Sequence, residues 1–182
     1  MPIASTNLSS NTQVKWVRWL PPCSSLKLNV DGSFSNGEMR GGGLVRNING
    51  SAIFGFSAFF GPGSSFGADV RAMHIGLSLC IHLKVKVDSI DSDSAASVLF
   101  LHGKLEPPWD LCYMVRLCRS FISQECHVKQ IWHEGNFAAD KLARKGRADE
   151  DIIIYNRIGS LPRSCNQVIL ENALGLHHFR PP

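Results

Sequence analysis

The sequence predicts a mixed α/β sheet of five strands, in which strands one to three are antiparallel and helices cover both faces. Three observations lead to this fold class. Short segments alternate apolar and polar residues with the period of a strand, first at residues 26–34. Turn-forming residues join the early strands directly, as at residues 47–50, which read NING. Later strands alternate with segments whose apolar residues recur at helical spacing, which predicts strand–helix crossovers.

The elements are expected in the order β-β-β-α-β-α-α-β-α. Strands are predicted at 26–34, twice within 41–60, and within 85–94 and 126–135. Helices are predicted within 68–83, 95–104, 109–124 and 136–148. The first helix carries two adjacent apolar stripes, so we expect it to be largely buried. In the turn between strands two and three, Gly50 is available for a positive φ.

The length of 182 residues is typical of one domain with tails. We expect a flexible lead-in at residues 1–19 and the folded domain at residues 20–148. Residues 149–182 are expected to form a tail with one short helix within residues 165–174.

The composition indicates a globular chain, since 44% of the residues are apolar and 19% are charged. No window reaches the roughly 18 unbroken apolar residues of a membrane span, and the N-terminus lacks the pattern of a signal peptide. We therefore expect an intracellular protein of the nucleus or cytoplasm that is neither secreted nor bound to a membrane. Its six scattered cysteines are expected to be free thiols. The net charge of +4 permits a polyanionic partner without requiring one.

Four acidic residues occupy special positions in the predicted fold. Asp31 lies near the end of strand one and Asp93 at the end of strand four. Asp69 lies in the first turn of the first helix, and Asp140 lies in the last helix. Each has a structural alternative. Asp31 could form an Asp-Gly turn, and Asp93 could cap a helix. Asp69 could be an acid near a helix N-terminus, and Asp140 could lie on a solvated helix face. Considered one at a time, each of these residues is better explained by its structural alternative than by a function.

Five segments in fixed order resemble the ribonuclease H type 1 domain. They read LKLNVDGSF, GGGLVRNINGS, ADVRAMHIGL, IDSDS and HEGNFAADKLARKG. The resemblance is to the plant versions related to retroelement reverse transcriptases, and it also includes the flanks WLPP and LPRSCNQVILENALG. It covers roughly residues 19–146, with weaker similarity to residue 175. The resemblance implies a ribonuclease H-like fold.

The same resemblance implies hydrolysis of the RNA strand of an RNA–DNA hybrid, with two Mg²⁺ ions that Mn²⁺ can replace. Asp31 and Asp93 are then the central metal ligands, and Asp69 and Asp140 are supporting ligands. This role has a physical reason, because hard Mg²⁺ prefers carboxylate oxygens and a pair of such ions promotes in-line displacement at phosphorus. Four clustered carboxylates would repel one another without a cation.

Two positions depart from the family pattern. The family has Glu where this chain has Asp69, which is one methylene shorter and so reaches less far toward a metal. The family also has a histidine ten residues before the last acid, where this chain has Gln130, which is neither an acid nor a base. His133 is the candidate catalytic substitute, and an exposed loop histidine is the structural alternative.

Substrate contacts are expected from Gly32 and Ser33 after the first acid, from Ser94, and from Asn136. A basic cluster lies near the last acid and fits either phosphate binding or the C-terminus of a helix; it contains Lys141, Arg144, Lys145 and Arg147. The expected partner is an RNA–DNA hybrid or another nucleic acid, bound by a monomer.

Two functions remain open at this point. One is an active ribonuclease H, and the other is a weakened or inactive relative that binds nucleic acid without cutting it. A third, an actin-like ATPase beginning with an Asp-Gly turn, needs two domains, for which 182 residues are too few.

Overall fold

The structure is a computed structural model that describes residues 15–22, 24–156 and 160–180. The strands are β1 (Lys15–Val17), β2 (Leu26–Ser35), β3 (Glu38–Asn47), β4 (Ala52–Pro62), β5 (Ser89–Ser92), β6 (His127–Gln130), β7 (Ile152–Tyr155) and β8 (His178–Arg180). The helices are α1 (Ser65–His82), α2 (Ala95–Leu101), α3 (Cys112–Phe121), α4 (Phe137–Ala143) and α5 (Arg163–Ala173). Short 3₁₀ turns at Trp109–Leu111 and His133–Asn136 precede α3 and α4.

The central sheet has six strands in the order β6-β5-β2-β3-β4-β7. Strands β2, β3 and β4 form an antiparallel meander, and β5 and β6 continue the sheet in parallel from β2. These are the five strands that the sequence predicts, with the predicted directions for the first three. Strand β7 pairs antiparallel with β4 and is a sixth strand, from within the predicted tail.

Both turns of the meander depend on residues that tolerate a positive φ. Asn36 and Gly37 join β2 to β3 with φ values of 54° and 79°, a pattern that matches the twist of a hairpin. Gly50 has a φ of 80°, and its N–H donates to the carbonyl of Asn47 over 2.9 Å. The prediction for Gly50 is therefore confirmed.

Helices α1 and α4 lie on opposite faces of the sheet and approach it closely at glycines. A Cβ atom on Gly32 would lie 2.3 Å from the backbone nitrogen of Asp69 in α1. A Cβ atom on Gly42 would lie 2.2 Å from the backbone nitrogen of Ala143 in α4. Gly42 pairs with Asp31, the neighbour of Gly32, and neighbours along a strand point to opposite faces. The prediction of helices on both faces is confirmed.

Each face has its own apolar core. Under α1 the core includes Leu28, Val30, Val45, Phe56, Met73 and Leu77. Under α4 it includes Leu44, Ala138, Leu142, Cys165 and Val168, the last two from α5. The short helix expected in the tail therefore exists, and it stabilises α4 from outside.

The predicted tails are part of the fold where the structure describes them, and this corrects the boundaries after residues 19 and 148. Strand β1 pairs antiparallel with β8. Trp19 is buried, and its indole N–H donates to Asn29 Oδ1 over 3.2 Å. The physical reason is burial of aromatic surface on the sheet. Residues 1–14 of the predicted lead-in lie outside the described residues.

No helix within the described ranges is both long and apolar enough to cross a membrane. The cysteines that the structure describes are all free, as expected: Cys80, Cys112, Cys118, Cys126 and Cys165. Cys23 lies outside the described residues.

Candidate active site

Asp31 and Asp93 lie side by side where the pairing between β2 and β5 ends, although β2 continues beyond Asp31 in its pairing with β3. Strands β2 and β5 are neighbours and run parallel, and the last residue pair between them is Val30 with Ser92. Each aspartate directly follows a member of that pair. The adjacency that the family resemblance requires is therefore present in the structure.

Asp69 and Asp140 come from the helices on the two faces. Asp69 lies in the second turn of α1, whose N-cap is Ser64, and its Oδ1 accepts the Gly32 N–H over 3.1 Å. Asp140 is 4% exposed, so it does not lie on a solvated helix face. The structural alternatives for these two residues are therefore wrong. The same holds for the cap alternative, because Ser94 rather than Asp93 caps α2.

All four aspartates line one open cleft of about 400 Å³. Its lining also includes four residues that the sequence analysis selected: Gly32, Ser33, Ser94 and His133. The sequence therefore predicted eight of the lining residues, drawn from four separate parts of the chain: residues 31–33, residue 69, residues 93–94, and residues 133 and 140.

The four carboxyl groups interact electrostatically. Burial raises the pKa of Asp31 well above its usual range, and the nearby carboxylates of Asp93, Asp69 and Asp140 raise it further. Burial also raises the pKa of Asp69 to about 6, against the opposing effect of hydrogen bonds from Ser94 and Gly32. The cluster therefore favours bound protons, or another source of positive charge, over four free negative charges.

These pKa values predict that the metal-free protein loses stability as pH rises. Asp31 and Asp69 hold protons in the folded state that an unfolded chain, with an ordinary pKa of 3.8, has already released. The free energy of unfolding should therefore fall from about pH 4 upwards, by about 3 kcal/mol through Asp69 as pH rises through about 6. Thermal unfolding in EDTA between pH 4 and pH 8 measures this effect. If the free energy of unfolding of an Asp31→Asn variant fell equally steeply with pH, Asp31 would not be a source of this pH dependence.

The residue types fit a divalent cation, since four carboxylates are the oxygen donors that Mg²⁺ prefers. Within residues 15–22, 24–156 and 160–180, however, no group of three acidic, histidine or cysteine side chains is arranged to hold a metal ion. Asp93 Oδ2 lies 2.7 Å from His133 Nδ1, and Asp140 Oδ1 accepts from Arg144 Nε over 2.8 Å. Metal binding would therefore require these side chains to rotate away from their protein partners.

His133 lies at the edge of the cleft beside Asp93. Its side chain is 46% exposed, and its ring packs edge-on against Phe137 with 5.2 Å between the centroids. Gln130, at the position of the family's histidine, is the exposed last residue of β6. His133 is thus a titratable side chain in contact with both a cleft carboxylate and solvent.

Asn136 needs a correction, because we expected it to contact the substrate. It is fully buried, and its Nδ2 donates to Val30 O over 2.9 Å and to Asp93 Oδ1 over 3.1 Å. Its Oδ1 accepts from Asn29 Nδ2 over 3.3 Å. All of these contacts lie within the protein, so Asn136 positions Asp93.

Asn29 extends this network away from the cleft, and it was not predicted from the sequence as a site residue. Its Oδ1 accepts from Trp19 Nε1 over 3.2 Å and from Arg46 Nη2 over 2.9 Å. The Arg46 guanidinium also stacks 3.8 Å from the centre of the Trp19 ring. The signal was present in the sequence, because Asn29 alternates with apolar residues and so lies on the same face as Asp31.

Two members of the basic cluster pair with acids of the chain. Arg144 binds Asp140 as described, and Arg147 binds Asp149 with contacts of 2.9 and 2.6 Å. Arg144 also lines the cleft. Among these arginines, Arg144 therefore has the place from which a phosphate near the carboxylates could be reached.

The sequence profile of the family described as "Reverse transcriptase-like" matches residues 29–146, well over half of the chain. The chain belongs to this reverse transcriptase-like family. The matched range begins in β2 and ends just after α4, so it contains all four aspartates of the cleft.

A curated relative of this family member is the "Putative ribonuclease H protein At1g65750" of Arabidopsis thaliana, 27% identical over 166 residues. The alignment covers 88% of this chain and 26% of the relative, so the chain spans about a quarter of that protein's length.

Solved structures share the fold. The RNase H1 of the archaeon Halobacterium salinarum NRC-1 superposes with a TM-score of 0.60 at 17% identity, over 69% of this chain and 98% of that one. LC11-RNase H1, solved in complex with an RNA/DNA hybrid, gives 0.59 at 18% identity, over 66% of this chain and 95% of that one. The expected ribonuclease H-like fold is thus confirmed for this member of the reverse transcriptase-like family.

Proposed function

We propose that this chain is a metal-dependent endonuclease that hydrolyses the RNA strand of RNA–DNA hybrids. The observation that carries this proposal is the meeting of Asp31, Asp69, Asp93 and Asp140 in one open cleft. Burial and mutual repulsion raise the pKa of Asp31, so the cluster favours a cation. The substrate class is supported by LC11-RNase H1, a protein of the same fold that was solved with an RNA/DNA hybrid.

Asp31 and Asp93 would hold two Mg²⁺ ions, or Mn²⁺ in their place, with Asp69 and Asp140 as supporting ligands. When bound, such ions activate a water and stabilise the leaving oxygen of a phosphodiester. The other groups of the chain act around this centre. The Gly32 N–H orients Asp69, and Asn136 fixes Asp93.

His133 is in place to take up or release a proton at its imidazole, next to Asp93 and open to solvent. Gly32, Ser33 and Ser94 line the cleft, where a backbone N–H or a hydroxyl could contact a phosphate or a 2′-hydroxyl. The monomeric state and the intracellular location belong to the same proposal. So does descent from a plant retroelement, which the Arabidopsis relative supports.

The test is cleavage of a hybrid with a labelled RNA strand by the purified protein in Mg²⁺ or Mn²⁺. We expect RNA products that disappear in EDTA, while duplexes of RNA alone and DNA alone remain intact. Binding is measured in parallel by electrophoretic mobility shift in EDTA. If the protein neither cleaves nor binds the hybrid, the proposal is rejected.

The second candidate function is a binding module that no longer cuts. It is favoured by the side chains that already contact two of the carboxylates and would compete with a metal ion. His133 contacts Asp93, and Arg144 contacts Asp140. Binding of the hybrid in the mobility-shift assay, without cleavage in Mg²⁺ or Mn²⁺, would establish this second function.

The variant Asp69→Glu distinguishes a weakened enzyme from an inactive one. Asp69 accepts hydrogen bonds from Gly32 and Ser94, and one added methylene would extend its carboxylate further into the cleft. We expect hybrid cleavage in Mg²⁺ to rise about tenfold, equivalent to roughly 1.4 kcal/mol. Because an added methylene in a packed site costs about 1–3 kcal/mol, any rise is informative. The ratio of the Mn²⁺ rate to the Mg²⁺ rate should be higher for the natural Asp69 protein.

The matched control is Asp110→Glu, the same change at an exposed site away from the cleft, which should leave the rate unchanged. If the natural protein already cleaves as fast as the Glu variant, the shorter side chain is no defect.

A further inference from the structure

A fully buried arginine, Arg46, lies at the far end of the amide network behind the cleft. Burial lowers the pKa of its guanidinium to about 9, although the nearby Cys165 and Asp91 raise it, so the group stays charged at neutral pH. Its Nε and Nη1 have no hydrogen-bond partner among the described residues, whereas Nη2 donates to Asn29 Oδ1 over 2.9 Å. A buried cation is costly, and the hydrogen bond that it makes here goes to an amide of the network.

Two donors fix the orientation of the Asn29 amide. Asn29 Oδ1 accepts from Arg46 and also from Trp19 Nε1, over 3.2 Å. A guanidinium and an indole N–H can only donate, so the amide must present its oxygen to them and its NH₂ group to the opposite side. The guanidinium stacks 3.8 Å from the centre of the Trp19 ring, which holds the two donors together.

This orientation is passed on to Asn136. Asn29 Nδ2 donates to Asn136 Oδ1 over 3.3 Å, which leaves Asn136 Nδ2 to donate to Asp93 Oδ1 over 3.1 Å. Asn136 Nδ2 also donates to the carbonyl of Val30 over 2.9 Å, which requires the same orientation. Arg46, Asn29 and Asn136 are all fully buried, so a donor lost from this series is not replaced by bulk water.

We propose that Arg46, together with Trp19, is a positioning residue for Asp93 and acts on it through the amides of Asn29 and Asn136. Because each amide accepts on one side and donates on the other, the donors at the far end determine that a donor faces the carboxylate. The effect on catalysis rests on the proposed nuclease function, whereas the orientation of the two amides does not.

The first test follows the Nδ2 resonances of Asn136 in ¹⁵N NMR spectra, assigned by their absence from an Asn136→Ser variant. Arg46→Met removes the donor and the charge and keeps an unbranched apolar side chain. We expect the Asn136 resonances to shift in Arg46→Met. They should not shift in the control Arg119→Met, where the lost arginine donates to the Phe100 carbonyl outside the network. Unchanged Asn136 resonances in folded Arg46→Met would overturn the proposal.

A double-mutant cycle shows whether Arg46 acts through Asn29. Loss of an outer partner of a ligand commonly costs 10–100-fold, so we expect Arg46→Met to lower kcat for the hybrid about tenfold, with KM changed by less than about twofold. In an Asn29→Ala background, Arg46→Met should lower kcat by no more than about twofold further. The full tenfold loss in that background would mean that Arg46 acts by packing alone, and would overturn the proposal.

The NMR measurement requires no activity, so it separates this proposal from the nuclease function. If the natural protein neither cleaves nor binds the hybrid but its Asn136 resonances respond to Arg46→Met, the nuclease function is rejected and the positioning role stands. Trp19→Phe decides if Arg46→Met does not fold, because it keeps an aromatic ring and removes the indole N–H. It should shift the Asn136 resonances less than Arg46→Met does, and unchanged resonances would again overturn the proposal.

Discussion

The substitution Asp31→Asn is expected to reduce metal-dependent cleavage of an RNA–DNA hybrid at least about 1,000-fold, equivalent to roughly 4 kcal/mol. Asp31 is the carboxylate whose pKa is raised by all three of the others, so it lies at the electrostatic centre of the cluster. Asparagine keeps the shape of the side chain and removes the charge that would attract a cation. Initial rates on a labelled hybrid, at saturating Mg²⁺, measure the effect.

The same variant should fold at least as well as the natural protein in the absence of metal. Burial and the neighbouring carboxylates raise the pKa of Asp31 to about 9, so at pH 8 the folded metal-free protein must hold a proton there. Asparagine is neutral without that proton, so the melting temperature in EDTA at pH 8 should not fall. Hybrid binding in EDTA should persist, because an uncharged side chain at position 31 does not repel the phosphates of the hybrid. Cleavage by Asp31→Asn at the natural rate would mean that the activity arises elsewhere or from a contaminant.

The substitution Gly42→Ala is expected to destabilise the fold by at least about 3 kcal/mol. The new Cβ would lie 2.2 Å from the backbone nitrogen of Ala143 and 2.5 Å from the carbonyl carbon of Leu142. Backbone atoms cannot rotate out of the way as a side chain does, so α4 would have to move from the sheet and carry Asp140 with it. Urea unfolding, monitored by circular dichroism, measures the loss.

Gly135→Ala is the matched control, because the nearest neighbour of the new methyl group there would be the Arg18 carbonyl oxygen, 3.7 Å away. Its effect should stay within about 0.5 kcal/mol. If Gly42→Ala were as stable as Gly135→Ala, the close contact between α4 and β3 would be absent in solution.

Periodicity was enough to predict the five strands and the main helices, but not β7. Residues Ile152–Tyr155 form a short apolar run without alternation, a pattern that does not distinguish a strand from a buried turn. Their pairing with Gly55–Ala58 of β4 joins segments about a hundred residues apart. Such a pairing is decided by tertiary contacts that no local pattern contains.

The site was predicted through the order of its acids, while the network behind it was not. Asp31, Asp69, Asp93 and Asp140 match a known set, and the structure places them in one cleft. The role of Asn136 was wrong, because its neighbours in sequence do not reveal that it is buried against Asn29. Identifying a buried amide requires the distant partner, which only the fold brings close.

The pairing of β1 with β8 determines how the domain would respond to mechanical tension. Lys15 pairs with Arg180 and Val17 with His178, so a pull applied outside residues 15 and 180 acts on the first pair alone. The ribbon would then open like a zipper, one pair at a time, rather than shear as a unit. Its opening would next strain the Trp19–Asn29 contact while the six-stranded sheet stayed intact. A domain built in this way yields first at β1 and β8, and the cleft lined by the four aspartates bears the force last.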